Sequence, residues 1–409
     1  MRILTVMLVL TMLIGCPPCL LAKTDQQFMR WLANFSAQAE RQGISRATIQ
    51  RAFAGLTAPN RSVLKKARYQ PEFTMTIRDY LEPRVNRSIA AKGRIMAVRY
   101  GKTLADIERQ TGVSRYILLA IWSMESSYGA VLKQKSRFYP VPHALATLAY
   151  ADKKRSKFGR TQLMAALKIL EAGDISPEAM LGSWAGAMGH TQFIPTSYLA
   201  YGVDWDQDGR RDIWNSIPDA LATAANLLKK NNWQTGKTWG YEVVSPAGGH
   251  RFAGQTKTLG QWSALGFKRP NASPFPRSEE RAELKFIAGS KGPAYLMTKN
   301  FFVIKRYNNS DFYALAVGQL ADLIAGSSMS GSSMVQKWPQ RAGSLSFTEK
   351  QELQLLMKRA GVYTGKTDGI IGNDSRAGII RLQERYGLPV NGRADKKLLL
   401  LLRKKIASR

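Results

Sequence analysis

Tyr116-Ile117-Leu118-Leu119-Ala120-Ile121-Trp122-Ser123-Met124-Glu125, followed by Ser126-Ser127-Tyr128-Gly129, is the stretch from which the rest of the chain can be read. At helical spacing it is apolar on every side, so the helix it forms is expected inside a core. It ends in a carboxylic acid and then in a break. Glu125 is therefore expected where a buried helix reaches a cleft. Burial disfavours the ionised carboxylate and the carbonyl end of a helix adds partial negative charge, so both raise its pKa. A Glu that keeps its proton near neutrality is the group that protonates a leaving oxygen in glycoside cleavage. The alternative for this segment alone is a Glu satisfied by a buried Arg or by backbone donors.

Outward from this helix, apolar residues recur at helical spacing from Phe28 to about Ile324, as in Phe28, Trp31, Leu32 and Phe35 and in Leu221, Ala224, Ala225 and Leu228. Breaks fall at Gly55 to Pro59, at Gly101 and at Ser176-Pro177. Between Trp233 and Val303 the pattern turns to short β-rich runs, Tyr241-Glu242-Val243-Val244 and Phe301-Phe302-Val303-Ile304, which predicts a small sheet inserted in a helical body. Gly326 to Ser333 is Gly, Ser and Met without period, the composition of a flexible linker. The expected fold class is mainly α, an α+β domain over 28–324, joined by a linker at 325–344 to a small helical domain at 345–403. In the latter, Glu349 to Ala360 and Ser375 to Tyr386 read as helices around the turn Lys366-Thr367-Asp368-Gly369, and no internal repeat is evident.

The chain has 409 residues, 44% of them hydrophobic, enough for two cores without disulfides. Its formal net charge of +31 points to a polyanionic partner, whether nucleic acid, anionic lipid or a carboxylate-rich wall, the alternative being a surface charged only for solubility. Arg2 precedes an apolar run, Ile3 to Ile14, too short for a membrane span and suited to the core of a secretory signal. Export removes the nucleic-acid partner. Two processing routes stay open. A leader of 1–22 cut after Ala22 leaves a mature chain with no cysteine, since Cys16 and Cys19 both lie in this region. Leu13-Ile14-Gly15-Cys16 also resembles a bacterial lipobox, which would give a leader of 1–15 and a lipid anchor on Cys16.

A second stretch, Gly182-Ser183-Trp184-Ala185-Gly186-Ala187-Met188-Gly189-His190-Thr191-Gln192-Phe193-Ile194-Pro195, mixes small residues with polar ones and aromatics. Its glycines allow backbone to approach a ligand, and Ser183 and Gln192 suit sugar hydroxyl and acetamido groups, but tight helix packing would use the same composition. No second carboxylate accompanies Glu125 in its own segment, so a mechanism in which the substrate supplies the nucleophile is admitted beside two-carboxylate hydrolysis.

Trp122 to Gly129 paired with Ala185 to Tyr198 resembles the lytic murein transglycosylase B family. Val203-Asp204-Trp205-Asp206-Gln207-Asp208-Gly209 and Arg306 to Val317 follow in the same order. The resemblance implies a lysozyme-like catalytic core and non-hydrolytic cleavage of the β-1,4 bond between N-acetylmuramic acid and N-acetylglucosamine, ending in a 1,6-anhydro sugar. It puts Glu125 at the catalytic position, acid and then base, and Ser183, Gln192, Tyr307, Asn308 and Tyr313 at positions that hold sugars and the acid. A hydrolytic muramidase and a non-catalytic wall-binding scaffold are the alternatives. In two places the chain departs from the family. The family's pair of arginines falls within Lys153-Lys154-Arg155, so at least one has become Lys, which weakens bidentate recognition of carboxylates, and Leu227 stands where some members have Tyr.

Asp204, Asp206, Asp208, Gly209 and Asp212 fit the first, third, fifth, sixth and ninth positions of an EF-hand loop, but Asn215 replaces the final bidentate Glu. Weak or no binding of Ca2+ or Na+ is expected there, a self-bonded Asp/Gly turn being the simpler reading, and no cofactor is expected to be required. His143, His190 and His250 lack the spacing of a zinc peptidase. Gly365 to Gly372, Arg376 to Gln383 and Gly387 to Gly392 resemble a peptidoglycan-binding module, with Leu353-Gln354 out of phase by about a residue. The expected partner is the glycan strand of peptidoglycan, for a monomer in the periplasm or on the outer membrane through Cys16.

Overall fold

The computed structural model describes residues 25–68, 76–326, 336–339 and 343–407. The expected leader, with Cys16, and most of the expected linker lie outside them. The helix Arg115–Ser126 is the buried axis of the larger unit: Ile117 to Trp122 are each at most 4% exposed. Ser114 caps it by accepting from the Tyr116 amide. It packs against the helices Arg87–Arg99 and Asp311–Ala325, and the helices Val141–Ala151, Ser156–Glu171 and Ile217–Lys230 complete one continuous core.

Strands β1 (Tyr139–Pro140) and β2 (Leu181–Gly182) form a minimal antiparallel pair just ahead of the small-residue stretch. Strands β3 (Gly240–Val243), β4 (Thr256–Thr258), β5 (Arg281–Lys285) and β6 (Ala294–Met297) form an antiparallel sheet in the order β3-β6-β5-β4. Its own core gathers Tyr241, Val243, Trp262, Phe267, Leu284 and Leu296, and the Trp262 indole donates to the Ala282 carbonyl. Trp239 Nε1 donates to Asp322 Oδ2 and so ties the sheet to the helix Asp311–Ala325.

Of the two β-rich runs expected, the first is β3, but Phe301-Phe302-Val303-Ile304 lies in the helix Lys299–Tyr307. Four consecutive apolar residues carry no period of their own, and here Phe301 and Ile304, one helical turn apart, face the core. No helix among the described residues is long and apolar enough to cross a membrane.

The smaller unit packs Phe347–Arg359, Asn373–Arg385 and a third helix, Lys396–Ala407, which buries Leu398, Leu399 and Leu402. Gln354 accepts from the Gly369 amide and donates to the Ile370 carbonyl, while Gln383 accepts from the Asn391 and Gly392 amides. Each of these buried glutamines thus holds an Asp-Gly or Asn-Gly turn.

Candidate active site

Glu125 sits on the last turn of its helix, half-buried, with the carboxyl facing two tyrosines. The chain leaves this helix through three successive left-handed residues, Ser127 (φ 51°), Tyr128 (φ 58°) and Gly129 (φ 81°), a costly backbone for the first two. Ser126 Oγ accepts from the Gly129 amide and holds the turn. Tyr313 Oη donates to Glu125 Oε1 at 2.6 Å. Tyr307 stacks on Tyr313 with ring planes 9° apart, and its hydroxyl donates to the Thr191 carbonyl at 2.5 Å.

Burial pushes the Glu125 carboxyl up from 4.5 to about 7, against a smaller downward pull from the Tyr313 hydroxyl. Among the described residues no second carboxylate acts on it. Both tyrosine hydroxyls are raised well above their ordinary range, first by burial and then by the Glu125 charge, so they remain donors at any working pH.

The small-residue stretch is a tight loop. Ser183 Oγ accepts from the Ala185 and Ala187 amides, which leaves its own hydrogen to donate. Gln192, itself left-handed at φ 50°, donates from Nε2 to the Gly189 carbonyl, so Oε1 is the atom the turn does not use. Phe193 meets Tyr307 edge-on at 5.3 Å. Asn308 ends the helix Lys299–Tyr307 in extended conformation with its side chain exposed. Arg155 pairs with Asp152 at 3.1 Å and lies over the Trp184 ring, whereas Lys153 and Lys154 are exposed.

The cation loop differs from the expected ligand set. The Asp208 carboxylate accepts from the Arg210 amide and that of Asp212 from the Trp214 and Asn215 amides, while Asp204 accepts from the Asp208 and Gly209 amides and Asp219 from the Trp205 and Asp212 amides, so the loop is held by its own carboxylates. The carboxylates that converge are Asp204, Asp206 and Asp219, with oxygens within 4.8 Å of one another. Asp219 is fully buried, and burial together with the Asp206 charge raises its pKa. A cation would relieve that repulsion, so these three residues fit one. Asp219 lies beyond the twelve-residue EF-hand frame and was therefore invisible to it.

Sequence reasoning also missed the link from Trp122 to His190, where the indole Nε1 donates to Nδ1 at 3.2 Å. Nothing in the spacing of the two motifs signals it.

A mostly helical body thus carries, at the end of its central helix, a carboxyl raised by burial with a tyrosine hydroxyl on it. The chain belongs to the transglycosylase SLT domain family, whose model matches residues 27–322, and the peptidoglycan-binding domain family matches residues 349–402. It is 31% identical over 215 residues to membrane-bound lytic murein transglycosylase B of Escherichia coli strain K12, which is 52% of this chain and 58% of that protein. The chain thus spans little more than half the length of that relative.

Among solved structures it is similar to SltB3 of Pseudomonas aeruginosa in complex with NAG-NAM-pentapeptide, with 42% identity, a TM-score of 0.73, and coverage of 93% of this chain and 100% of that one. The same figures hold for SltB3 with NAG-anhNAM-pentapeptide. The Escherichia coli lytic transglycosylase Slt35 in complex with calcium is 26% identical, with a TM-score of 0.59 over 73% of this chain and 92% of that one.

Proposed function

We propose that the chain is a lytic transglycosylase that cleaves the β-1,4 bond between N-acetylmuramic acid and N-acetylglucosamine in peptidoglycan, with Glu125 as its only proton carrier. The observation that carries this reading is a carboxyl raised to about 7 by burial, with the Tyr313 hydroxyl on it and, among the described residues, no second acid acting on it. Protonated Glu125 gives its proton to the glycosidic oxygen as the C1–O bond breaks. The resulting carboxylate then takes the proton of the muramoyl C6 hydroxyl while O6 bonds to C1, so the acid is regenerated and no water is consumed. A pKa near the working pH suits a group that must donate and then accept.

Standard hydrolysis would need a second carboxylate about 5 to 9.5 Å away, as nucleophile or as base. The solved complexes of SltB3 with NAG-NAM-pentapeptide and with NAG-anhNAM-pentapeptide support the same substrate class here. Ser183 through its free hydrogen, Gln192 through Oε1 and Asn308 through its exposed amide would hold sugar hydroxyl and acetamido groups. Tyr307 and Tyr313 would hold the acid. The peptidoglycan-binding unit and the charge of +31 would keep the enzyme on an anionic wall, and both support a place in the cell envelope. The Asp204, Asp206 and Asp219 cluster would take a calcium ion as a structural brace.

The test is digestion of purified sacculi followed by mass spectrometry. Anhydro products, lighter by one water than hydrolytic ones, are expected from the natural protein and none from Glu125→Gln. Reducing-end products would assign a muramidase instead, and full activity in the Gln variant would remove Glu125 from the mechanism.

A further inference from the structure

His190 has no part in the chemistry above, yet it grips the catalytic helix on both sides of the acid. Trp122, one turn before Glu125, donates from its indole Nε1 to His190 Nδ1 at 3.2 Å. Ser126, directly after Glu125, donates from Oγ to the His190 carbonyl at 2.6 Å. The next residue in the loop, Thr191, accepts from Tyr307, which stacks on Tyr313, which donates to Glu125. The contacts therefore close a ring from Glu125 through Trp122, His190, Thr191, Tyr307 and Tyr313 back to Glu125.

An imidazole meets the demands of this place. An indole can only donate, so Nδ1 must be the unprotonated nitrogen, and burial holds the ring neutral by lowering its pKa. Trp122 is 1% exposed, so its N–H has no access to water if the acceptor is lost. The ring also lies flush on the turn after the acid, since a Cβ at Gly129 would stand 2.4 Å from His190 Cε1.

We propose that His190 is a positioning residue that holds the Glu125 carboxyl in register with the sugar-binding loop, acting through Trp122 and Thr191 and not by touching substrate. This rests on the transglycosylase reading given above. Whatever tilts the loop tilts the acid with it, so loss of the link slows the chemical step and leaves substrate affinity nearly unchanged.

Full-length variants assayed on soluble glycan strands test this. His190→Phe keeps a ring but no acceptor, His190→Asn puts Oδ1 about where Nδ1 stands, and Trp122→Phe removes the donor. With misplacements of about 1 Å costing up to ~100-fold, kcat in His190→Phe should fall roughly tenfold with KM within about twofold. His190→Asn should recover most of the loss, and the Trp122→Phe/His190→Phe double variant should be no worse than either single one.

Wild-type kcat in His190→Phe, an Asn variant no better than the Phe variant, or additive losses would each overturn the proposal. If His190→Phe does not fold, an active His190→Asn beside a slowed Trp122→Phe supports it, and an unslowed Trp122→Phe overturns it. Glu125→Gln run alongside separates the two layers. If it is dead while His190→Phe is unimpaired, only the positioning role fails; if it is active, the reading beneath fails.

Discussion

Replacing Glu125 by Gln should stabilise the protein, by an amount that grows as the pH rises from 4.5 to about 7 and is constant beyond. The folded structure holds the carboxyl at about 7, against 4.5 for the group in water. A pKa raised in the folded state means that the fold favours the proton. Below pH 4.5 the group is protonated whether the chain is folded or not, and nothing distinguishes the acid from the amide that imitates it. Between pH 4.5 and 7 the unfolded chain gives up its proton while the folded one keeps it, so wild-type stability falls. Above 7 the loss is complete. At about 1.4 kcal/mol for each pH unit, the natural protein should lose roughly 3 kcal/mol across this window. The Gln variant should not, because its Oε1 still accepts from Tyr313 and its amide never ionises. Urea unfolding of both proteins at pH 4 and pH 8 measures it: equal midpoints at the lower pH, and a more stable variant at the higher one. A difference of the same size at both pH values would show that Glu125 is not held protonated by burial, and the acid role would lose its physical basis.

Three further outcomes follow from the same geometry. Tyr313→Phe removes the one hydrogen bond that pulls the Glu125 pKa down, so the alkaline limb of the pH–rate profile should move to higher pH; a limb that stays in place or moves to lower pH contradicts this. Gly129→Ala puts a Cβ at φ 81° and 2.4 Å from the His190 ring, and should cost about 2 kcal/mol or more in denaturant unfolding. Calcium added to chelator-treated protein should raise the melting temperature, by the equivalent of about 1.4 kcal/mol at ten times its dissociation constant, and Asp206→Asn should abolish the rise.

The helix that carries Glu125 is legible in the sequence because apolarity on every side of a twelve-residue element has one physical outcome, burial. The carboxyl at its end inherits that burial, so the direction of its pKa shift could be read as well. What surrounds Glu125 has no local pattern, since Tyr313 lies 188 positions away and His190 lies 68 from Trp122; the family resemblance named the tyrosines, and nothing named the histidine. In the cation loop the short Asp side chains bond the nearest amides, as the simpler reading of the sequence expects, but the third converging carboxylate comes from the helix that follows and lies outside the twelve-residue frame. In the smaller unit, Leu353-Gln354 and Leu382-Gln383 each reach a Gly-containing turn, but at unequal spacing, so the sequence carries no fixed repeat period there.

The way the site sets its single acid also explains why one carboxyl is sufficient in the proposed mechanism. Enzymes that hydrolyse with two carboxylates use their environments to push the two pKa values apart, one to hold a proton and one to lack it. Here the opposing influences fall on the same group. Burial raises the carboxyl, and the Tyr313 hydroxyl, which bonds best to the ionised form, lowers it. The balance near 7 leaves neither protonation state strongly preferred, so the cost of reaching the other state in mid-reaction is small. Deeper burial without the tyrosine would make a good acid that could not serve as a base. More donors would make a carboxylate with no proton to give. The ring through His190 matters in this light because the balance depends on distance, and a hydroxyl held at 2.6 Å exerts its pull only while the loop and the helix keep their relative place.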